Sequence, residues 1–335
     1  GEESPLSIIP KCGYPGIRCS RKSPYRIYVS RKSYIFQQMS DAVIQGLGSR
    51  KDRCRYEVLD VDITKHSQYA GKVVRGDVWI HVGYSKQEVF YELCKEKFAP
   101  LKVYCIFFNS EPRKVKAPKG VCEIWDYTHV NQPIAPVVRY LPPGFVPVYK
   151  DVSENDLAVQ KRSEECEESK LELFFLGNVS KLRRKHCWNH LQRLPALQHL
   201  TFTSTDRGIR SLKAMRKLVE KRNTIFLNMH PLCNESAGSS YPSERLETVR
   251  LSVLLSFGAL VISEPANPVD MQLYQDIVIF EKNLFRAFST WSPDLQELLG
   301  NCNKIREFQL QAYELFKQRF DPGLLLENAG ILEID

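Results

Sequence analysis

The 335-residue sequence lacks a continuous apolar run of about 18 residues, the length needed to cross a membrane as a helix. Its longest apolar stretch, Leu251 to Ile262, is interrupted by Ser and Gly. No membrane span is therefore expected. No signal-peptide pattern is visible either, so the expected location is cytoplasmic, membrane-associated or viral. A lumenal location is expected only if a longer chain carries an anchor upstream. The ten cysteines (12, 19, 54, 94, 105, 122, 166, 187, 233 and 302) form no Cys-x-x-Cys pair and no disulfide-framework spacing. That excludes zinc ribbons and thioredoxin-type redox motifs. Several cysteines sit in apolar strands, as Cys105 does in Val103-Tyr-Cys-Ile-Phe-Phe108, so reduced, buried thiols are expected. There is no Gly-x-Gly-x-x-Gly, no Walker A loop, no repeat at 20 to 50 residues and no low-complexity tract. Dinucleotide-binding fingerprints, P-loop nucleotidases and solenoids drop out with them.

What is present is an ordinary globular composition, 43% apolar and 26% charged, with a net charge of +8. At roughly 150 residues per domain, the length allows two. Positive charge is spread over Arg18 to Lys32, Arg113 to Lys119, Lys181 to Lys185 and Arg207 to Arg222. A polyanion is one reading of this; pockets for an anionic small molecule and a solvated surface are others, and nucleic acid is not the expected partner. Two glycosylation sequons, Asn178-Val-Ser180 and Asn234-Glu-Ser236, lie in loops assigned below to a ligand pocket, which favours a compartment without glycosylation.

Along the chain, residues 1–24 read as an extended arm. Residues 25–150 alternate strands (Tyr25–Ser30, Tyr56–Asp62, Asp77–Val82, Lys102–Phe108, Val121–Asp126, Val137–Leu141) with helices (Tyr34–Leu47, Gln87–Phe98), the pattern of a doubly wound α/β domain. Residues 151–170 are acidic and poor in large apolar side chains, and read as an interdomain linker. Residues 171–316 repeat the alternation, with strands Leu171–Leu176, His199–Thr203, Ile225–Asn228, Ala259–Ser263 and Ile277–Phe280 and helices Leu182–Leu194, Leu212–Lys221, Pro293–Leu299 and Cys302–Phe320. Residues 317–335 read as a tail. The fold class is α/β, with two Rossmann-like αβα domains expected to face each other across a cleft.

The chemistry concentrates in Phe226–Tyr274, where an apolar strand, a Gly/Ser-rich loop, a helix and a second buried strand make one βαβ unit. Open parallel sheets bind ligands at the carboxyl ends of their strands, where this unit places its polar groups. Glu244, Glu247 and Arg250 recur every three residues and so share a helix face. A carboxylate there can accept ribose hydroxyls, and the guanidinium can face phosphate; an ordinary ion pair would look the same. Gly177-Asn-Val-Ser180 leads a strand into a helix start, which offers N–H groups to a phosphate, with Arg183, Arg184 and Lys185 one turn on. Asp60-Val-Asp62 and His186/His190 imitate metal motifs without the acids or cysteines that would complete them, and read as structural. No metal is expected.

Asn228-Met-His230, Glu247-Thr-Val-Arg250, Leu254-Leu-Ser-Phe-Gly258 and Val261-Ile-Ser-Glu264 resemble the C-terminal half of GT-B glycosyltransferases, closest to the CgeB-like and giant-virus-type branch. Asn109-Ser-Glu111, Ile124-Trp-Asp-Tyr127 with Asn131, and Tyr140-Leu-Pro-Pro-Gly144 resemble that branch's N-terminal motifs, and Gly177 with Arg184 its Gly…Arg loop. The likeness runs through residues 77 to 285. It implies a metal-independent transferase moving a hexose or pentose from a nucleotide-diphosphate sugar, such as a UDP- or GDP-sugar, to a saccharide or other hydroxyl acceptor, with no cofactor. It further implies that Glu247 holds the ribose, with Glu244 beside it. Arg184 and Arg250 would hold the diphosphate, Gly177 and Asn178 would offer backbone contacts, and Asn228, His230 and Glu264 would line the donor pocket. The acceptor's general base would come from the N-terminal domain: His81, Glu111, Asp126 or His129, at strand ends. His81 also fits a core histidine and Asp126 a turn-pinning Asx residue. Pro112 and Thr128 depart from the branch's Gln and Ser. The Glu-x7-Glu pair of many retaining GT-B enzymes is incomplete, since Ser239 and Leu255 flank Glu247 at that spacing. Those departures motivate a second reading, a GT-B-like binding or scaffold protein without turnover. The basic surface motivates a third, a DNA-modifying glucosyltransferase.

Overall fold

A computed structural model describes residues 17–19, 23–32, 36–166, 171–177, 179, 182–197, 200–204, 214, 216–217, 220, 224–230, 245–286 and 290–333, with the side chains of 182–184, 196 and 333 left aside. The chain forms two compact bodies. The first runs to Val146 and resumes at Phe320; the second is Pro147–Arg319.

The first body contains β1 (Ile17–Arg18), β2 (Tyr25–Arg31), β3 (Tyr56–Asp62), β4 (Val78–Val82), β5 (Tyr104–Asn109), β6 (Glu123–Asp126) and β7 (Val137–Tyr140). β2 to β7 form one parallel sheet in the order β3-β2-β4-β5-β6-β7. β4, β5 and β6 are buried along their whole length, because helices cover both faces of such a sheet. That is why these strands read as unbroken apolar runs. One face packs Trp79, Phe90, Phe98, Phe107 and Ile124 into a continuous core.

The second body contains β8 (Glu172–Phe175), β9 (Thr201–Ser204), β10 (Thr224–Asn228), β11 (Leu260–Ser263) and β12 (Ile279–Phe280), parallel in the order β12-β11-β10-β8-β9. A last short strand, β13 (Leu332–Glu333), pairs with β1 in the first body. In the second sheet β8 is followed to one side by β9, and the chain then crosses back to β10 on the other side. The strand order therefore reverses between β8 and β10, and that is where an open α/β sheet leaves a crevice at its carboxyl edge. The helix Thr248–Ser256 connects β10 to β11 and ends in a Schellman cap. Ala259 N–H bonds Leu254 O at 3.0 Å and Gly258 N–H bonds Leu255 O at 2.8 Å, with Gly258 at φ +65°. A side chain at 258 would strain that turn and collide with Val159.

Three expectations are corrected. The acidic stretch 151–170 is not a linker, because Val152–Ser163 is a helix capped by Asp151 and built into the second body. Its anchor is polar: the fully buried Asn155 side chain accepts from Val148 N–H (2.9 Å) and Tyr149 N–H (3.4 Å). It also donates to Ser256 O (2.9 Å) and Tyr313 Oη (2.8 Å). The segment 317–335 is not a free tail. Helix Cys302–Arg319 ends it within the second body, and helix Pro322–Asn328 packs on helix Gln37–Gly48 of the first. The cysteines are not reduced throughout: Cys19–Cys54 and Cys166–Cys302 are disulfides, and Cys122 and Cys187 are disulfide-bonded too.

The contact between Gln37–Gly48 and Pro322–Asn328 is close enough to invert a familiar rule. Replacing a helical glycine by alanine normally stabilises by up to about 1 kcal/mol. A Cβ on Gly46 would stand 2.7 Å from Pro322 O and 2.8 Å from Leu326 Cδ1. Gly46→Ala is therefore expected to lower the urea midpoint by an equivalent of about 1–2 kcal/mol. Gly48→Ala, with nothing within 4 Å, is expected to leave it level or raise it.

Candidate functional site

At the carboxyl edge of the second sheet, buried polar side chains accumulate where strands give way to loops. Asn228 ends β10 and Ser263 ends β11, both fully buried, and His230 and Glu264 follow them at 2% exposure each. Buried polar groups need partners, and here they use one another. Asn228 Nδ2 donates to Ser263 Oγ (2.9 Å), and His230 N–H donates to Glu264 Oε2 (2.7 Å). Glu264 thereby fixes the backbone of the loop that leaves β10.

Arg250 enters from the first turn of helix Thr248–Ser256. Its Nη1 donates to Asn228 Oδ1 at 2.9 Å, its Nη2 lies 3.7 Å from Glu247, and the guanidinium sits 5.1 Å from the centre of the Phe175 ring. Phe175 ends β8, so one cation is held against the ends of β8 and β10, the two strands that flank the reversal. Gly177 lies beside it: a Cβ there would be 3.5 Å from Arg250 Nη2 and 2.9 Å from the Phe175 ring. A side chain larger than hydrogen at 177 would crowd both. Glu247 takes the N-cap position of the helix without capping it through its side chain, which leaves the carboxylate turned to other partners.

His230 is set by its far nitrogen. Nε2 lies 2.8 Å from Pro265 O. A carbonyl only accepts, so Nε2 carries a hydrogen, and in the neutral ring Nδ1 is the acceptor. Nδ1 is buried and meets no hydrogen-bond partner among the described residues; the same holds for Thr248 Oγ1.

Sequence reasoning missed the outer brace of this site. Asn267 caps helix Pro268–Leu273 by accepting from Asp270 N–H (3.0 Å), and Asp270 Oδ2 accepts from Asn267 Nδ2 (2.6 Å) and from Leu246 N–H (3.3 Å). Leu246 leads directly into Glu247, so the β11 loop positions the helix that carries Arg250. The signal was there in Asn267-Pro268-Val-Asp270, a capping residue, a first-turn proline and an acid.

Of the donor-side residues expected from sequence, the structure brings Gly177, Asn228, His230, Glu247, Arg250 and Glu264 into this one network. Asn178 and Glu244 lie outside the described residues, as does most of the helix expected over 212–221. Arg184 lies on helix Leu182–Arg193, its side chain outside the described ones.

In the first body the four general-base candidates separate. His81 is fully buried, its Nδ1 3.0 Å from Ser30 Oγ and its Nε2 3.2 Å from Ser85 O, and it stacks on Phe90. Burial pushes its pKa down to about 4, so it stays neutral inside the sheet with both nitrogens engaged. Asp126 is fully buried as well. Its carboxylate accepts from Asn109 Nδ2 (2.8 Å), Asn131 Nδ2 (2.8 Å) and Thr128 N–H (3.1 Å), which pins the loops after β5 and β6. Glu111 and His129 are the two that reach the surface. Asn109 and Asn131 both donate to Glu111 O, and His129 packs its ring on Tyr140. Of the metal look-alikes, Asp60 pairs with Arg31 and Asp62 caps the turn Ile63–Lys65.

A search of solved structures supplies the frame for these two sheets. An α-glucosyltransferase solved with UDP and a 13-mer DNA containing an A:G mismatch superposes with a TM-score of 0.54 at 11% identity, over 90% of this chain and 98% of that one. The fold is GT-B. Two other glycosyltransferases match more loosely. A variant O-GlcNAc transferase of Thermobaculum terrenum gives a TM-score of 0.47 at 11% identity, over 95% of this chain and 69% of that one. WaaG, of lipopolysaccharide biosynthesis, gives 0.39 at 10% identity, over 91% and 99%. No family model and no curated protein sequence matches the chain. A GT-B fold assigns the α/β class and the two parallel sheets seen here. No helix among the described residues is long and apolar enough to cross a membrane.

Proposed function

We propose that the chain is a glycosyltransferase of the CgeB-like GT-B branch. It transfers a sugar from a nucleoside-diphosphate sugar, bound at the β8/β10 edge of the second body, to an acceptor hydroxyl. One observation carries this reading: Arg250 is held at the strand-order reversal by Asn228, Glu247 and the Phe175 ring, a cation placed in advance where a diphosphate would sit. In this reading the bond from the anomeric carbon to the diphosphate breaks, and the diphosphate keeps the electron pair. Arg250 and Arg184 offset its growing charge, with the Gly177–Asn178 backbone beside them and no metal. The acceptor oxygen bonds the anomeric carbon and gives up its proton to a base; Glu111 and His129 are the first-body groups with access to one. Glu247, with Glu244 near it in sequence, takes the ribose hydroxyls. His230 Nδ1 accepts from a hydroxyl of the sugar, and Glu264 holds the His230 backbone for that purpose.

A binding test comes first. Millimolar UDP, GDP or ADP, free or sugar-linked, is expected to raise the Tm by about 5–10 °C for at least one nucleotide, as binding at about 100 times Kd adds about 2.7 kcal/mol to a body of this size. A flat response to all three would remove the donor site and the proposal with it. A DNA acceptor is the second reading, favoured by the net charge of +8. It requires retention on DNA that falls steeply as salt rises.

A further inference from the structure

Among the eight described cysteines, six are oxidised and two are not. Cys19–Cys54 closes a separation of 35 residues and Cys166–Cys302 one of 136; Cys122 and Cys187 are bonded as well. The free pair, Cys94 and Cys105, is buried in the first core, and burial raises the Cys94 thiol well above its ordinary value. The bonds occupy positions where a covalent tie has most to hold. Cys19 follows β1, which pairs with β13, so its bond to Cys54 fastens the outer pair of strands to the loop after helix Gln37–Gly48. Cys166 follows helix Val152–Ser163 and Cys302 opens helix Cys302–Arg319, so the second bond encloses β8 to β12 entirely. Disulfides in both bodies, with both free thiols buried, are the mark of a protein that matures where thiols are oxidised.

We infer that this chain folds and works in an oxidising compartment or outside the cell. Resting on the proposed transfer, we further infer that its acceptor hydroxyl is one presented there, and not on intracellular DNA. Oxidation of each thiol pair forms one S–S bond and releases two protons and two electrons to the thiol oxidants of that compartment.

The test counts thiols on the full chain, expressed through a secretory route and purified without reductant. In native protein Cys94 and Cys105 are expected to give no rapid reaction with a thiol reagent. In denaturant, peptide mapping is expected to find both as thiols and to find Cys19, Cys54, Cys122, Cys166, Cys187 and Cys302 in disulfides. Full-chain protein made in a reducing cytosol is expected to show a lower denaturation midpoint that oxidative refolding restores. Eight or more thiols in protein that is folded and equally stable by either route would overturn the inference. So would Cys166→Ser/Cys302→Ser variants of unchanged midpoint. Because the mapping needs no nucleotide, a flat UDP, GDP and ADP response with those six cysteines in disulfides would retire the transferase and leave the compartment standing.

Discussion

Arg250→Ala is expected to cut kcat/KM for sugar-nucleotide transfer or hydrolysis by on the order of 100–1000-fold, the usual cost of removing one prepositioned donor from a developing negative charge. Arg250→Lys should recover little of it. A guanidinium can donate to Asn228 Oδ1 from one nitrogen, face Glu247 with another and sit over the Phe175 ring, whereas an ammonium can do only one of these at a time. The loss should fall on kcat more than on KM, since the diphosphate gains charge as the sugar leaves. The structural share of the effect is separable. The Arg250 side chain is 15% exposed and its pair with Glu247 spans 3.7 Å, so the stability change should stay near about 1–2 kcal/mol and appear in the urea midpoint. Unchanged turnover in Arg250→Ala, with normal folding, would take the diphosphate away from this edge of the sheet.

Asn155→Ala is expected to destabilise the second body by about 3–4 kcal/mol, with no direct effect on any donor contact. One fully buried amide joins three parts: the chain entering the body (Val148, Tyr149), the carboxyl end of the helix that carries Arg250 (Ser256), and helix Cys302–Arg319 (Tyr313). Alanine removes four hydrogen bonds and leaves their partners buried and unmatched, which costs more than the bonds were worth. Asn155→Asp keeps the acceptor for Val148 and Tyr149 but turns a carboxylate toward Ser256 O. It should be nearly as damaging at neutral pH and less so in acid, where a protonated carboxyl can donate again. Leu157→Ala on the same helix is the control: at 66% exposure it should change stability by less than about 0.5 kcal/mol. Chemical denaturation followed by intrinsic fluorescence reads all three.

Asn155 also shows where the sequence stops being readable. The strands were legible because a parallel sheet covered on both faces writes itself as apolar runs. The helix Val152–Ser163 writes nothing of the kind. Of its three buried residues only Val159 is apolar; Asn155 and Ser163 are polar, and a polar anchor is indistinguishable from a solvated face until its partners are known. The helix Pro322–Asn328 hid for another reason, as its partner Gln37–Gly48 lies nearly 300 residues away. Cysteine spacing likewise carries no record of which thiols meet. At the site, motif order placed Asn228, His230, Glu247, Arg250 and Glu264 together because strand ends and a helix start must converge at a parallel sheet's edge. It did not separate Asp126 and His81, whose polar atoms are spent inside the first body, from Glu111 and His129. Residue type and position are alike for all four, and only burial tells them apart.

The course of the backbone has a practical side. The second body is one uninterrupted stretch, Pro147–Arg319, that interrupts the first along the chain, and the disulfide Cys166–Cys302 staples the beginning of that stretch to its end. A single pair of cuts in the gene therefore lifts out the whole proposed nucleotide site with its own covalent seam. The portion left behind comes in two pieces, and helix Gln37–Gly48 against helix Pro322–Asn328, with β1 beside β13, already forms the joint through which a short connector could close them.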